Sequence, residues 1–240
     1  MPPVAKPAAV SGYEARWQQH NAERQTQILR AAVAVIEDSP PGADISVQRI
    51  AKRAGVAKSV VYRQFSGKDD LERRIRSYLI DDFAAVLDAK LDVSSGSLRQ
   101  ILTRSVLAVA DWMADHQRLN EFARRGPALA GTLDATGELK RRIAHRGEDI
   151  IVSIAQTIGV DSDAFESVPF VVATMVEATL ASWLGETPPT RTRAQMAGTL
   201  ADIIWFVLDG AARSIGLVID PDEELTTVIE ALKQPARSDP

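Results

Sequence analysis

Residues 45–71, ISVQRIAKRAGVAKSVVYRQFSGKDDL, decide the fold of the first part of this chain. Their apolar side chains follow the helical period in two short runs, which are separated by Gly55. Ser46 can cap the first run, and glycine adopts the left-handed conformation of a sharp turn more cheaply than any other residue. The second run, roughly residues 58–65, places Val61 and Phe65 one turn apart. The stretch therefore predicts a helix-turn-helix.

The rest of the chain is also predicted to be helical, because apolar residues recur with the helical period and no strand pattern or repeat occurs. Helices are predicted over residues 22–38, 68–90, 98–116, 119–125, 138–158, 163–184, 194–215 and 221–233. The fold class is all-α, with a flexible tail over residues 1–20. A three-helix DNA-binding domain is predicted over residues 21–67, and a second helical domain over residues 68–240.

Charge is divided unequally along the sequence. Residues 1–76 contain 13 Lys and Arg against 8 Asp and Glu, which gives a net charge of +5. The remainder contains 28 − 13 = 15 basic and 32 − 8 = 24 acidic residues, a net charge of −9. A basic helix-turn-helix joined to an acidic body is the charge pattern expected of a DNA-binding protein with a second function in its body.

The amino-acid composition indicates the cellular compartment in which the protein is expected to work. The chain has no cysteine, which excludes disulfides and thiolate metal sites and favours a reducing cytoplasm. Its first residues contain no basic segment followed by an apolar run, and no apolar stretch reaches the ~20 residues of a membrane span. The sequence thus predicts a cytoplasmic protein without a membrane partner.

Several positions together resemble the TetR/AcrR family of transcriptional regulators over residues 22–71. They are Ile28-Leu29 with Ala32, Ser46-Val47 with Ile50-Ala51, Ala54-Gly55-Val56, Val61-Tyr62 with Phe65, and Lys68 with Leu71. The resemblance implies that Tyr62 and Lys68 contact DNA phosphates. It also implies that Gln48, Lys58 and Ser59 face base edges, where Lys58 can donate to guanine and Gln48 can pair with adenine.

Further contacts are expected around this set. Gln64, Arg49 and Ser46 are candidate phosphate partners, and Arg63 is a candidate for DNA contact. The family usually has Ser or Thr where Ala57 stands, and often Thr where Val60 stands. The second helix of the motif therefore lacks its side-chain cap and one hydroxyl contact.

Two late helices, over residues 163–184 and 194–215, contain more apolar surface than one packed seam requires. The resemblance favours a four-helix bundle made with the same pair from a second subunit, although a monomer core would give the same pattern. A two-fold dimer would hold its DNA-binding domains about 34–36 Å apart and bind a pseudo-palindrome. The residues predicted at this interface are Val172, Leu180, Trp183, Leu200, Ile204, Val207, Leu208 and Ala211.

A ligand pocket is predicted among the helices of the body, because the family binds varied apolar or amphipathic small molecules. Its predicted lining is Trp112, Met113, Phe122, Ile143, Ile151, Phe170 and Met175, and plain core is the other interpretation of these residues. The glycine-bearing segment 126–137 is the expected position of an entrance.

An enzyme is the rival class, and the sequence offers it little support. The three histidines lie far apart, no phosphate-binding glycine loop occurs, and no cofactor or metal site is predicted. The predicted function is a dimeric, DNA-binding transcriptional regulator, a repressor released by a small apolar or amphipathic effector. An activator, a ligand-independent repressor and a helical small-molecule-binding protein remain the alternatives.

Overall fold

The computed structural model describes residues 12–40, 42–125 and 135–233, and for residues 12–15, 135 and 136 the backbone alone. These residues are mainly helical and contain no β-strand. The helices are α1 Gly12–Glu37, α2 Val47–Arg53, α3 Lys58–Gln64, α4 Lys68–Asp88, α5 Leu98–Asp115, α6 Gln117–Arg124, α7 Ala135–Ile158, α8 Val168–Leu184, α9 Arg193–Ser214 and α10 Leu225–Lys233. A short 3-10 helix, Asp163–Phe165, precedes α8.

The chain divides into two compact units between Leu79 and Ile80, within α4. The predicted boundary at residue 68 lies at the start of that helix. The N-terminal unit therefore contains the first turns of α4 as well as α1–α3. Their buried side chains include Leu71 and Ile75, because α4 continues the apolar core of the three-helix motif.

The N-terminal unit packs α1 against α2 and α3 around a compact apolar core. Six apolar residues of the two short runs are buried: Val47, Ile50, Ala51, Ala54, Val61 and Phe65. The side-chain amide of Gln27 on α1 donates to the carbonyl oxygen of Ala54 at 2.8 Å, which fixes the turn between α2 and α3 against α1.

The C-terminal unit has its core between α5, α8 and α9. Helix α5 packs along α9, and α8 contacts α5, α7 and α9. The largest completely buried side chains of this core are Leu180 and Leu200. The α5 helix is started by a capping box, in which Ser97 accepts from the backbone of Gln100 and the side chain of Gln100 accepts from Ser97.

Three sequence-based boundaries are corrected. Helix α1 begins at Gly12, so the tail predicted over residues 1–20 is helical from that residue, whereas residues 1–11 lie outside the described residues. The helix predicted over residues 163–184 is divided into the 3-10 turn and α8. Most of the irregular segment predicted over residues 126–137 also lies outside the described residues, while residues 135–137 begin α7.

One helical stretch of the described residues, Asp163–Leu184, is long and apolar enough to cross a membrane by length and composition. This corrects the expectation that no segment reaches that limit. A core or interface helix meets the same criterion, and α8 buries Ala173, Val176, Leu180 and Trp183 inside its own unit. Length and composition alone are therefore weak evidence for a membrane span.

Candidate nucleic-acid interface and internal cavity

Helices α2 and α3 form the helix-turn-helix through local interactions. Ser46 caps α2, because its hydroxyl oxygen accepts from the backbone N–H of Arg49 at 3.3 Å. Gly55 ends the turn with φ +65°, a left-handed conformation that favours glycine. Ala57 occupies the cap position of α3 without a side-chain hydrogen bond, as expected from the sequence.

The outer surface of α3 exposes four polar side chains, Lys58, Ser59, Tyr62 and Arg63, which we call the recognition face. The ammonium group of Lys58 lies 5.7 Å from the centre of the Tyr62 ring, within the range of a cation–π contact. The recognition face therefore presents donors and one aromatic ring on a single helix, while Val61 on the opposite side is buried.

Two predicted contact residues on and before α2 have partners within the protein. The guanidinium of Arg49 donates to the hydroxyl of Ser39 at 3.1 Å, and the Ser46 hydroxyl serves as the α2 cap. A hydroxyl that accepts one hydrogen bond still has its own hydrogen to donate. Arg49 and Gln48 are exposed on the outer side of α2.

Gln64 and Lys68, predicted to contact phosphates, are also partnered. The amide of Gln64 donates to the side-chain oxygen of Asn21 at 3.1 Å and is half-buried, so it joins α3 to α1. The Lys68 ammonium lies 3.6 Å from Asp44 and 3.8 Å from Glu72. Exposed ion pairs of this length contribute little free energy, so a phosphate could replace either carboxylate.

An apolar cavity opens within the C-terminal unit. Its wall is formed by parts of α5, α7, α8, α9 and α10 and by the segments that join them. The cavity has a volume of about 240 Å³. Where α7 meets α8, the position of a β-carbon on Gly147 would lie 3.3 Å from the β-carbon of Pro169, so the glycine allows a close approach of the two helices.

The cavity includes only part of the predicted lining. Ile143 and Ile151 line it, whereas the other five predicted residues do not. Met113 belongs to the packed core, with Trp112 and Met175 against it, and Phe170 is exposed on the outside of α8. Phe122 lies on α6, which contributes no lining residue. The sequence missed the contribution of α10, whose Leu225, Val228, Ile229 and Leu232 recur at the helical period.

A second apolar surface lies on the outside of α8 and α9. It consists of Phe170, Val171, Ile203 and Phe206, which we call the hairpin face, and Phe206 is 68% exposed. Ile203 and Phe206 lie one turn apart on α9. None of these four was predicted at an interface, although they belong to the two helices from which the interface was predicted.

The predicted dimer residues lie mostly elsewhere. Leu180, Trp183, Leu200 and Ile204 are buried in the core of the protomer, so they have no surface to offer a partner. Val172, Leu208 and Ile204 line the cavity. Only Val207 and Ala211 are half-buried without belonging to either the core cluster or the cavity wall.

Two acidic residues of α5 pair with an arginine of α9. Arg193 of α9 donates to Asp111 at 2.9 Å and lies 3.5 Å from Asp115, which joins α9 to α5. These carboxylates raise the pKa of Arg193, mainly through the hydrogen bond to Asp111. Across the described ranges, no group of three or more His, Cys, Asp and Glu side chains is placed to hold a metal ion.

Comparison with known proteins shows what this chain is similar to. Residues 28–75 match the family model for bacterial regulatory proteins of the tetR family. An uncharacterized HTH-type transcriptional regulator of Mycobacterium tuberculosis H37Rv is 24% identical over 211 residues, which span 85% of this chain and 86% of the relative.

Solved structures share the fold. A tetR-family transcriptional regulator from Streptomyces coelicolor has a TM-score of 0.62 and 22% identity, covering 90% of this chain and 91% of its own. FadR from Bacillus subtilis, solved in complex with stearoyl-CoA, has a TM-score of 0.53 and 17% identity, covering 75% and 96%. The matched motif and the helical fold agree: residues 28–75 carry the motif of the tetR-family regulators, and the chain is similar in sequence and in fold to transcriptional regulators of that kind.

Proposed function

We propose that the protein is a cytoplasmic repressor that binds a pseudo-palindromic operator as a homodimer and is released by a small apolar effector. The observation that carries the DNA-binding part is the recognition face, which exposes Lys58, Ser59, Tyr62 and Arg63 from the second helix of a helix-turn-helix. The net charge of +5 over the N-terminal region supports it, since positive charge is what draws a protein to the phosphate backbone.

The residues proposed to contact DNA fall into two groups, those that contact base edges and those that contact phosphates. Lys58, Ser59 and Gln48 read base edges, because they are exposed and stand on the outer sides of α3 and α2. The phosphate contacts are made by residues that surround them: Tyr62, Arg63, Lys68, Arg49, Ser46 and, after release from Asn21, Gln64.

Replacing Lys58 by alanine is expected to weaken binding to the operator by about 1–3 kcal/mol and to relax preference at one base pair. The operator is first obtained by selection from random duplexes, and affinity is then measured by fluorescence anisotropy between 50 and 300 mM salt. Lys68→Ala is the control, because it removes the same charge but should weaken the operator and an unrelated duplex equally.

Two results would contradict the DNA-binding proposal. The first is an operator affinity of the Lys58→Ala variant equal to that of the parent protein. The second is a wild-type protein that shows no steep loss of affinity with salt and no preference over competitor DNA.

The hairpin face supports the dimer. Helices α8 and α9 are consecutive and in contact, and only residues 185–192 join them. Phe170 stands 14 positions before the end of α8 at Leu184, and Phe206 stands 13 positions after the start of α9 at Arg193. If the pair is antiparallel, the two rings lie nearly level, about 20 Å from the connecting loop. A two-fold axis there would bring the same apolar rings together from both subunits.

The cavity supports the effector. Its wall is apolar and its position, between helices of the body, suits a small molecule. FadR of B. subtilis, which has a related fold, was solved with stearoyl-CoA, an amphipathic molecule. Helix α4 runs without a break from Lys68 to Asp88, across the division between the two units. A ligand that prefers one tilt of this helix would shift the population away from the DNA-binding arrangement.

The tilt mechanism predicts a changed distance between the two DNA-binding domains of the dimer. The chain has no cysteine, so Ala43→Cys places one label in each exposed loop before α2. We expect the label-to-label distance, measured by pulsed electron resonance, to change by several ångströms when an effector lowers operator affinity. An unchanged distance together with lost affinity would overturn the mechanism while leaving DNA binding and effector binding intact.

A further inference from the structure

The cavity has the length of an extended hydrocarbon chain. Its wall along α7 reaches from Ile143 to Ile158, which corresponds to about 22 Å at the helical rise of ~1.5 Å per residue. An extended chain advances about 1.3 Å per carbon, because C–C bonds of ~1.5 Å meet at the tetrahedral angle. An extended hydrocarbon chain of roughly 17 carbons therefore fits along this part of the wall.

The volume is that of a ligand site and not of a water site. A cavity needs only about 10–15 Å³ to hold one water, and this one has about 240 Å³. The length of the wall therefore sets the limit, at one unbranched chain of up to about 16 carbons.

The wall offers almost no polar group to such a ligand. Every described residue of the lining is Leu, Ile, Val, Ala, Phe, Pro, Gly or Trp, and the indole N–H of Trp205 is its one polar side-chain group. A charged group inside would lose its hydration without gaining a partner, which is costly. Any charged end of a ligand must therefore remain at the rim of the cavity.

Most cations that adjoin the wall in sequence are already paired with carboxylates. Four basic residues directly adjoin lining residues in sequence and have acidic partners: Arg99 with Asp202 and Asp222, Arg142 with Asp81, Arg146 with Asp88, and Lys233 with Glu230. The guanidinium of Arg99 donates to Asp222 at 2.7 Å, and this hydrogen bond raises the pKa of Arg99. Lys90, next to Leu91, is the remaining cation that adjoins the described wall, and it is fully solvated at the surface.

Acidic residues that adjoin the wall in sequence are more numerous than the cations. Glu148 and Asp149 adjoin the wall on α7, and Asp161 and Glu166 adjoin it on either side of the 3-10 helix. A side-chain hydrogen bond of the Asp163 carboxyl to Asp161, together with the charges of Asp161 and Glu166, raises the pKa of Asp163. Carboxylates here are therefore close enough to repel one another, and they would repel an anionic ligand as well.

We propose that the cavity selects an uncharged, single-chain hydrocarbon compound of up to about 16 carbons, such as a long-chain alcohol or ester, and rejects the corresponding acid. The ligand class thus differs from the anionic acyl-CoA of the FadR complex. This inference rests on the proposed effector function of the same cavity. The net charge of −9 on residues 77–240 also disfavours the binding of an anionic ligand.

The test compares dodecan-1-ol with dodecanoate, each below its micelle concentration, at pH 8 and 20 mM salt. Both displace the neutral fluorophore N-phenyl-1-naphthylamine from the full-length protein, and Trp205 fluorescence reports entry into the cavity, with Trp205→Phe as the control for that signal. We expect the alcohol to bind at least tenfold more tightly than the carboxylate. Equal affinities, or tighter binding of the carboxylate, would overturn the inferred preference for an uncharged ligand. Either result would still agree with the proposal that the effector is apolar.

Removing rim charge provides the second arm of the test. The Asp161→Asn/Asp163→Asn variant is expected to reduce the alcohol-to-carboxylate ratio at least threefold at low salt. The control, Asp82→Asn/Glu138→Gln, removes two exposed acids that do not adjoin the wall in sequence, and it should leave the ratio within twofold. An equal change in both variants would overturn the role of the rim. If neither ligand displaces the fluorophore, both the inference and the effector proposal fail, and DNA binding is unaffected.

Discussion

Replacing Phe206 by aspartate is expected to convert the proposed dimer into a monomer and to weaken operator binding at least 100-fold. Phe206 is 68% exposed in the protomer, so the substitution should not disturb the core. In a two-fold dimer, each substitution places two carboxylates in an apolar interface, where an unpaired charge is costly. Loss of the dimer also removes the gain of about 10²–10⁴ that comes from binding two half-sites together.

Val218→Asp is the matched control for this experiment. Val218 is 69% exposed, belongs to the same unit and lies outside α8, α9 and the cavity wall. Sedimentation equilibrium and operator titration are measured on both variants. A Phe206→Asp protein that remains dimeric at micromolar concentration would show that the hairpin face is not the dimer interface.

Replacing Leu200 by alanine is expected to lower the free energy of unfolding by about 2–5 kcal/mol. Leu200 is 1% exposed in the core formed by α5, α8 and α9, so truncation leaves a void that close-packed neighbours fill only in part. Leu208→Ala on the same helix is the comparison. Leu208 is half-buried and lines an existing cavity, so its truncation should cost less than half as much.

Both variants are unfolded in urea at one fixed protein concentration, because the stability of a dimer depends on concentration. Equal losses at the two positions would contradict the assignment of Leu200 to the core and Leu208 to the cavity wall. Because both residues were predicted at the dimer interface from the sequence, the same pair tests the corrected placement: neither substitution should dissociate the dimer.

The helix-turn-helix could be predicted almost completely, because its determinants are local. The buried set, the capping Ser46 and the turn at Gly55 lie within about 20 residues of one another, and each follows from helical period, cap chemistry or backbone conformation. The extent of α1 could not be predicted in the same way. Residues 12–21 lack apolar periodicity, and a polar helix gives little pattern to recognise.

In the C-terminal unit, the sequence pattern does not distinguish apolar residues that occupy different places in the fold. Helix α8 is apolar on nearly every side, so its period does not distinguish Leu180 in the core, Val172 on the cavity wall and Phe170 at the surface. The same ambiguity led to Phe170 being predicted in the pocket and Leu180 at the interface. Apolar residues are interchangeable in a hydropathy pattern, although they are not interchangeable in space.

By itself, the sequence determined the all-α class, the DNA-binding motif and the division of charge between a basic N-terminal region and an acidic C-terminal region. Only the tertiary structure decided which apolar faces form the core, which surround a cavity, and which remain exposed on α8 and α9. The physical reason is that the hydrophobic effect is non-directional: it requires apolar surface to be covered, but the packing of distant helices chooses what covers it.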